Sequence, residues 1–197
     1  TTPIVVAGTM YLPIGNAVIA LEPDSGREVW RHPVAAGLVR RAVTYWPGDK
    51  GHKPRIFYSK GKSLVALDAA TGQIDPGFGT NGEVALATPY GYPPTLYKNV
   101  LVIGATTAEM PVGESGNSRA YDAVTGKKLW EFNTVPRPGE VGHDTWLDDG
   151  WKGRSGNNVW IWYMTLDEKT GTLYMPVGGP AANYYGGDRK GANLFGN

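Results

Sequence analysis

A short turn motif recurs along the chain and constrains its fold more than any other feature. Three copies run from Ala20 to Gly26, from Ala66 to Gly72 and from Ala120 to Gly126, and a looser copy runs from Thr165 to Gly171. In each copy an acid can accept backbone N–H groups within the turn, and the glycine supplies a positive φ that other residues resist. The turn glycines are 46, 54 and 45 residues apart. This period predicts a repeat architecture.

Short runs of β-branched and aromatic residues lie between the turns, for example residues 55–58, 63–65 and 100–103. No window longer than about ten residues keeps a helical stripe without Gly or Pro, so we predict an all-β fold. About four strands in each period of this length are typical of a β-propeller blade. The chain is therefore predicted to form about four blades of a partial β-propeller. We expect one domain over residues 1–197, without a linker.

The ends of the sequence bear on the number of blades. A propeller closes on itself to protect its edge strands, and four blades is the low end of the known range. The first strand starts at once, and residues 193–197 stop where another repeat would begin. We therefore expect the chain to be a fragment of a larger propeller.

Charge and composition exclude several functions. The 19 Lys and Arg residues against 18 Asp and Glu residues give a net charge of +1. A nucleic-acid partner is not expected, because such binding needs a clustered excess of positive charge. The absence of cysteine excludes disulfides and thiolate metal sites. No apolar stretch approaches the ~18 residues that indicate a membrane-spanning helix.

Two further features of the sequence are interpreted as structural. The segment from Gly77 to Gly82 matches the G-x-G-x-x-G pattern of dinucleotide-binding loops. It does not open a helix, so no helix N-terminus is available for a pyrophosphate, and we interpret it as a loop. Trp30 and Trp130 each follow a turn glycine by four residues. Their repetition with the blade predicts that they pack one blade against the next.

The turn motif with its trailing tryptophan, together with residues 143–197, resembles the pyrroloquinoline-quinone (PQQ) dependent dehydrogenases. The resemblance covers essentially the whole chain. Its most specific segments are Arg40 to Asp49, Gly142 to Trp146, Asn158 to Trp160 and Pro180 to Arg189. It implies an eight-bladed propeller enzyme that oxidises alcohols or sugars. The glucose and polyol branch is implied, rather than the methanol dehydrogenases that rely on a vicinal cystine.

The resemblance also implies cofactors and site residues. In this family PQQ lies flat on a tryptophan, and a Ca²⁺ or Mg²⁺ ion touches its carbonyl oxygen. Trp160 falls at the stacking tryptophan, Glu109 at the metal-binding glutamate, and Asn183 is the implied second metal ligand. Thr106 falls at a hydroxyl that hydrogen-bonds the cofactor, and Arg41 at an arginine that pairs with a cofactor carboxylate. Oxygen ligands suit a hard cation, and the planar fork of arginine suits a carboxylate.

The sequence departs from the family pattern at two places. Gly91 and Tyr92 precede a Pro-Pro pair where family members often carry a cofactor-binding Thr. The family's catalytic Asp lies in a His-Asp-Leu-Trp-Asp-like segment that would follow Asn197. The similar-looking segment from His143 to Trp146 matches an earlier, non-catalytic blade. The catalytic residue is therefore unknown within this chain.

The resemblance implies an oxidoreductase that takes hydride from a CH–OH group and passes electrons to a membrane quinone or cytochrome c. It also implies a periplasmic location, with inner-membrane association of the full-length protein. The alternative is a non-catalytic propeller scaffold for protein–protein interaction, as in outer-membrane assembly lipoproteins. A scaffold needs only the repeated turns and tryptophans. Glu109, Trp160 and Asn183 are not repeated, and this favours the enzyme.

Overall fold

The computed structural model describes residues 1–160, 164–182 and 184–196. Within these ranges the regular secondary structure is almost entirely β-strand, and the strands are joined by turns and loops. The strands are β1 (Ile4–Val6), β2 (Thr9–Ile14), β3 (Ala17–Leu21), β4 (Glu28–Pro33), β5 (Thr44–Trp46), β6 (Arg55–Lys60), β7 (Ser63–Asp68), β8 (Glu83–Ala85), β9 (Thr95–Tyr97), β10 (Val100–Ile103), β11 (Ser118–Asp122), β12 (Lys128–Phe132), β13 (Thr165–Asp167) and β14 (Thr172–Tyr174). A single-turn 3-10 helix covers His143–Thr145. No helix in the described ranges is long and apolar enough to cross a membrane.

The strands of the described residues form three four-stranded sheets and one two-stranded sheet. Their strand orders are β1-β2-β3-β4, β5-β6-β7-β8, β12-β11-β10-β9 and β13-β14. Every sheet is antiparallel, and in each of them strands that follow one another in sequence are neighbours. This up-and-down order is the pattern expected for a propeller blade. The prediction of an all-β fold built from blade-like repeats is therefore confirmed.

The chain divides into two compact units, which are described separately. The first contains Thr1–Leu101 and Tyr121–Lys128, and the second contains Val102–Ala120 and Leu129–Asn197. Each boundary falls inside a strand, β10, β11 or β12, rather than in a linker. One domain over residues 1–197 remains a prediction.

The four repeated turns have nearly the same local geometry. Their glycines, Gly26, Gly72, Gly126 and Gly171, have φ values of 70 to 74°. In every copy the glycine N–H donates to the carbonyl oxygen of the acid four residues earlier, at 2.8 to 2.9 Å. In the last three copies the aspartate Oδ1 also accepts N–H groups from the two residues before the glycine. The turns are therefore closed as the motif predicted, by hydrogen bonds to the acid and by a glycine with positive φ.

Trp30 packs between two neighbouring sheets of the first unit, as predicted. It retains only 8% of its surface exposed, and its Nε1 donates to the carbonyl oxygen of Ala69 at 3.0 Å. Gly72 lies so close to the indole that an added Cβ would overlap the ring. The second repeated turn is thus the docking site for the tryptophan of the first. Trp130, in contrast, is 39% exposed, so it is much less buried than Trp30.

The glycine-rich loop from Gly77 to Gly82 is a packing element of the first unit. Phe78 is fully buried and contacts Phe57, with ring centroids 5.1 Å apart. The N–H of Gly79 donates to the carbonyl oxygen of Thr125 at 3.0 Å, so the loop docks on the third repeated turn. The sequence-based interpretation as a structural loop agrees with this arrangement.

We expect Trp30→Phe to destabilise the protein more than Trp130→Phe. At position 30 the substitution removes the indole N–H and leaves the buried Ala69 carbonyl without its donor, a loss of about 1–2 kcal/mol. At position 130 the side chain is 39% exposed and water can replace lost contacts. Urea denaturation of the two variants measures the difference. Equal losses would show that Trp30 is not a special docking residue.

Candidate functional site

A small cavity in the second unit brings together two of the predicted site residues, Glu109 and Trp160. Its volume is about 50 Å³. Its walls come from three segments, residues 107–109, 156–160 and 178–181. The first segment follows β10, and the other two lie outside the strands. The cavity is therefore made by loops that the sheet framework holds in place.

Backbone contacts hold the segment around Trp160 against the segment around Gly178. Val159 and Val177 form an antiparallel bridge. The N–H of Gly178 donates to the Asn158 carbonyl oxygen at 2.9 Å, and the N–H of Trp160 donates to that of Pro176 at 3.2 Å. This short ladder fixes the backbone from which the indole projects.

Gly104, directly after β10, approaches the same segment from another side. An added Cβ at this glycine would overlap the carbonyl oxygen of Val159. Its φ is not in the left-handed range, so the glycine is needed here for space rather than for backbone conformation. The cavity therefore depends on a close backbone approach immediately before the segment that carries Glu109.

Trp160 presents an open aromatic surface at the cavity. Trp160 is 41% exposed, whereas tryptophan is highly buried on average. A Cβ added to Gly178 would overlap the indole Nε1, so the ring lies directly over glycine backbone. The remaining ring surface is free to stack on a planar group.

Glu109 is exposed and lines the same cavity as Trp160. The described residues include no group of three or more His, Cys, Asp or Glu side chains that could hold a metal. Besides carboxylates, Ca²⁺ accepts neutral oxygen ligands from carbonyl and amide groups. Asn183, the predicted second ligand, lies outside the described residues.

Asn158 and Thr107 also line the cavity, and neither was predicted as a site residue. The Asn158 Oδ1 accepts two hydrogen bonds from Thr107, one from its N–H at 3.2 Å and one from its hydroxyl at 3.1 Å. Asn158 lies two residues before Trp160, and in extended chain this spacing puts both side chains on one side. That spacing was the signal that could have identified it. Thr106 is exposed, and the cavity is lined by its neighbour Thr107 instead.

Arg41 belongs to the first unit, where its side chain is exposed. Its guanidinium carbon lies 4.6 Å from the centroid of the Tyr92 ring, a cation–π contact. Tyr92 is one of the residues at which the sequence departs from the family pattern. The proposed pairing of Arg41 with a cofactor carboxylate remains a prediction.

In the second unit, an ion pair supports the loop after Ala181, the last residue that lines the cavity. Arg154 is buried, donates to the carbonyl oxygen of Gly150 at 3.0 Å, and pairs with the Asp188 carboxylate at 2.8 Å. The hydrogen bond from Arg154 holds the pKa of Asp188 below its usual value. This link ties the loop after Ala181 to the segment that precedes Gly156.

Comparison with known proteins identifies the family to which this chain belongs. The sequence profile of the PQQ family, described as "Glucose/ethanol/alcohol dehydrogenase, beta-propeller domain", matches residues 1–197. The chain therefore belongs to the PQQ dehydrogenase family, as the resemblance predicted.

Curated relatives include enzymes of more than one branch. The glycerol dehydrogenase large subunit of Gluconobacter oxydans is 30% identical over 94% of this chain and 28% of its own length. Methanol dehydrogenase subunit 1 of Paracoccus denitrificans is 30% identical over 91% of this chain and 33% of its own length. Because both branches match equally well, the glucose and polyol branch remains a prediction. The chain spans about a third of the length of these relatives.

Solved structures give the same family. Quinohemoprotein alcohol dehydrogenase from Comamonas testosteroni matches with a TM-score of 0.76 and 26% identity, over 98% of this chain and 31% of that protein. Quinohemoprotein alcohol dehydrogenase ADHIIG from Pseudomonas putida matches with a TM-score of 0.74 and 27% identity, over 91% of this chain and 28% of that protein.

Proposed function

We propose that the protein carrying this chain is a PQQ-dependent dehydrogenase that oxidises the hydroxyl group of an alcohol or sugar. This chain would supply the cofactor-stacking and metal-binding side of its site. The observation that carries the proposal is the cavity shared by Glu109 and Trp160. These residues are distant in sequence and are not repeated with the blades. A carboxylate beside an open indole face is what a cation and a planar quinone need.

The size of the cavity decides where the metal ion and PQQ would bind. A volume of about 50 Å³ exceeds the ~10–15 Å³ that a cavity needs to hold one water, so a metal ion has room beside Glu109. A tricyclic quinone does not fit into this space, and it would lie over the exposed surface of Trp160. When bound, PQQ supplies a two-electron acceptor whose carbonyl group is polarised by the cation.

The remaining residues of the site are assigned by resemblance. Asn183 would be the second metal ligand, Thr106 would hydrogen-bond the cofactor, and Arg41 would pair with one of its carboxylates. The base that takes the hydroxyl proton is proposed to follow Asn197 in the full-length protein. The cation would be Ca²⁺ or Mg²⁺, the electron acceptor a membrane quinone or cytochrome c, and the location the periplasm. Names of relatives such as glycerol dehydrogenase support a hydroxyl compound as substrate.

The proposal predicts metal-dependent binding of PQQ. Isothermal titration of PQQ into the full-length protein, with and without Ca²⁺, should show tight binding only with the ion. Glu109→Ala should weaken Ca²⁺ binding at least tenfold, because it removes the carboxylate at the cavity. Trp160→Ala should weaken PQQ binding at least tenfold, because it removes the stacking surface.

A matched control separates these effects from general damage to the fold. Glu114→Ala removes another exposed carboxylate of the same loop, one that does not line the cavity, and should bind both ligands like the unmodified protein. Absence of PQQ and Ca²⁺ binding in the unmodified protein would overturn the enzyme proposal. It would favour the scaffold alternative, in which the fold is kept without the chemistry.

A further inference from the structure

The hydrogen bonds between Asn158 and Thr107 connect the two halves of the candidate site. Both donors of Thr107, its N–H and its hydroxyl, point at the single Oδ1 of Asn158. We propose that Asn158 is a positioning residue: through Thr107 it fixes the segment of Glu109 to the segment of Trp160. Metal and cofactor would then be bound in one fixed geometry. This inference rests on the function proposed above.

The segment of Glu109 needs such a connection because it is not part of a strand. It leaves β10 after Ile103 and continues as a loop through residues 106–114. Glu109 itself is exposed. Its orientation must therefore come from the backbone on either side. Asn158 fixes that backbone two residues before the carboxylate.

Contacts to Ser155 complete the support of this loop. The Ser155 hydroxyl donates to the carbonyl oxygen of Ala108 at 3.0 Å, directly before Glu109. The N–H of Ser155 donates to the carbonyl oxygen of Pro111 at 3.4 Å, two residues after it. Ser155 does not line the cavity, whereas Asn158 does. Asn158 is thus the supporting residue that is also next to the bound groups.

The geometry favours a positioning role for Asn158 over metal ligation. An amide oxygen has two lone pairs, and two donors of Thr107 already use them. Binding of a cation through this oxygen would require at least one of these hydrogen bonds to break. Residues that orient the ligands of a metal site in this way typically change metal affinity by ~10–100-fold when they are replaced.

Three variants of the full-length protein test the proposal. Asn158→Leu has a similar volume but no acceptor, and should weaken Ca²⁺ affinity by about 10–100-fold and reduce the Ca²⁺ dependence of PQQ binding. Asn158→Asp keeps an acceptor for both donors of Thr107, and its added negative charge should make Ca²⁺ binding tighter than in Asn158→Leu. Asn133→Leu is the control: another half-buried amide of the second unit whose Oδ1 accepts a hydrogen bond. It should lower the melting temperature without changing either affinity.

The measurements are calorimetric titration of Ca²⁺, PQQ titration at zero and saturating Ca²⁺, and hydrogen exchange at the Thr107 amide without ligands. Asn158→Leu should accelerate that exchange, because the N–H loses its acceptor. Unchanged exchange, or affinities like those of the unmodified protein, would overturn the positioning role while the proposed function stands. Equal affinity losses in Asn158→Leu and Asn133→Leu would also overturn it. Absence of binding in the unmodified protein would instead remove the proposed function, and this inference with it.

Discussion

Gly104→Ala should reduce PQQ affinity more than 100-fold and lower the free energy of unfolding by about 2–3 kcal/mol, the range for overpacking a close-packed site. The added Cβ would overlap the carbonyl oxygen of Val159. A backbone oxygen has no rotamer to escape into, so the segment of Val159 must move. Trp160 is the next residue, and its N–H bond to Pro176 would be strained with it. The variant therefore displaces the proposed stacking surface without changing any residue that is proposed to touch the cofactor.

Gly51→Ala is the matched control for this prediction. Gly51 does not have a left-handed φ, and the atom nearest to an added Cβ is 4.0 Å away, in a flexible aspartate side chain. The same substitution should therefore change neither binding nor stability appreciably. PQQ titration and urea denaturation of both variants separate steric displacement from a general effect of glycine replacement. If the Gly104→Ala variant binds PQQ like the unmodified protein, the close approach of Gly104 to Val159 does not position Trp160.

The repeated turns could be predicted from sequence because each is closed by atoms of adjacent residues. An aspartate, the N–H groups just after it and a glycine with positive φ are all contained in seven residues. The number of repeated turns can be read from that local chemistry. Burial of Trp130 could not be predicted in the same way. Its surroundings depend on what packs against it, and its spacing from the turn is the same as that of Trp30.

The candidate site was predicted only in part for a related reason. Trp160 and Glu109 were found through a resemblance, since an isolated glutamate or tryptophan has no local signal of function. The contact between Thr107 and Asn158 joins residues 51 apart in sequence. Such a pair is visible only once the loops are folded against each other. Arg55 is a further example, because its two carbonyl partners are 68 and 69 residues away.

Arg55→Met should destabilise the protein by about 3–5 kcal/mol, the range for breaking a buried ion pair by removing one partner. Arg55 is 2% exposed. Its Nε donates to the Asp75 carboxylate at 2.7 Å, and its Nη1 donates to the carbonyl oxygens of Ala123 and Val124, each at 2.6 Å. Methionine fills a similar volume but leaves the Asp75 Oδ2 atom and both carbonyl groups without the donor that Arg55 provides.

Two companion variants identify which part of this loss is electrostatic. Arg55→Lys keeps the charge, but a single ammonium group cannot reproduce the planar fork that reaches the carboxylate and the carbonyls, so an intermediate loss is expected. In the double variant Arg55→Met with Asp75→Asn, the uncompensated negative charge is gone. Its loss should be smaller than that of Arg55→Met alone. A double variant as unstable as the single one would mean that the carbonyl contacts, not the ion pair, dominate.

The pH dependence of stability gives an independent test of the same pair. Burial would raise the pKa of Asp75, but the hydrogen bonds from Arg55 and from the Gly77 N–H lower it below the ordinary value of 3.8. Because the pKa is lower in the folded state, Asp75 stabilises the fold above pH 3.8, and this contribution is lost as the pH falls further. The stability difference between the unmodified protein and Arg55→Met should therefore shrink as the pH falls below 3.8. Urea denaturation across this range measures the difference, and a constant value would contradict the assignment of the Asp75 charge to Arg55.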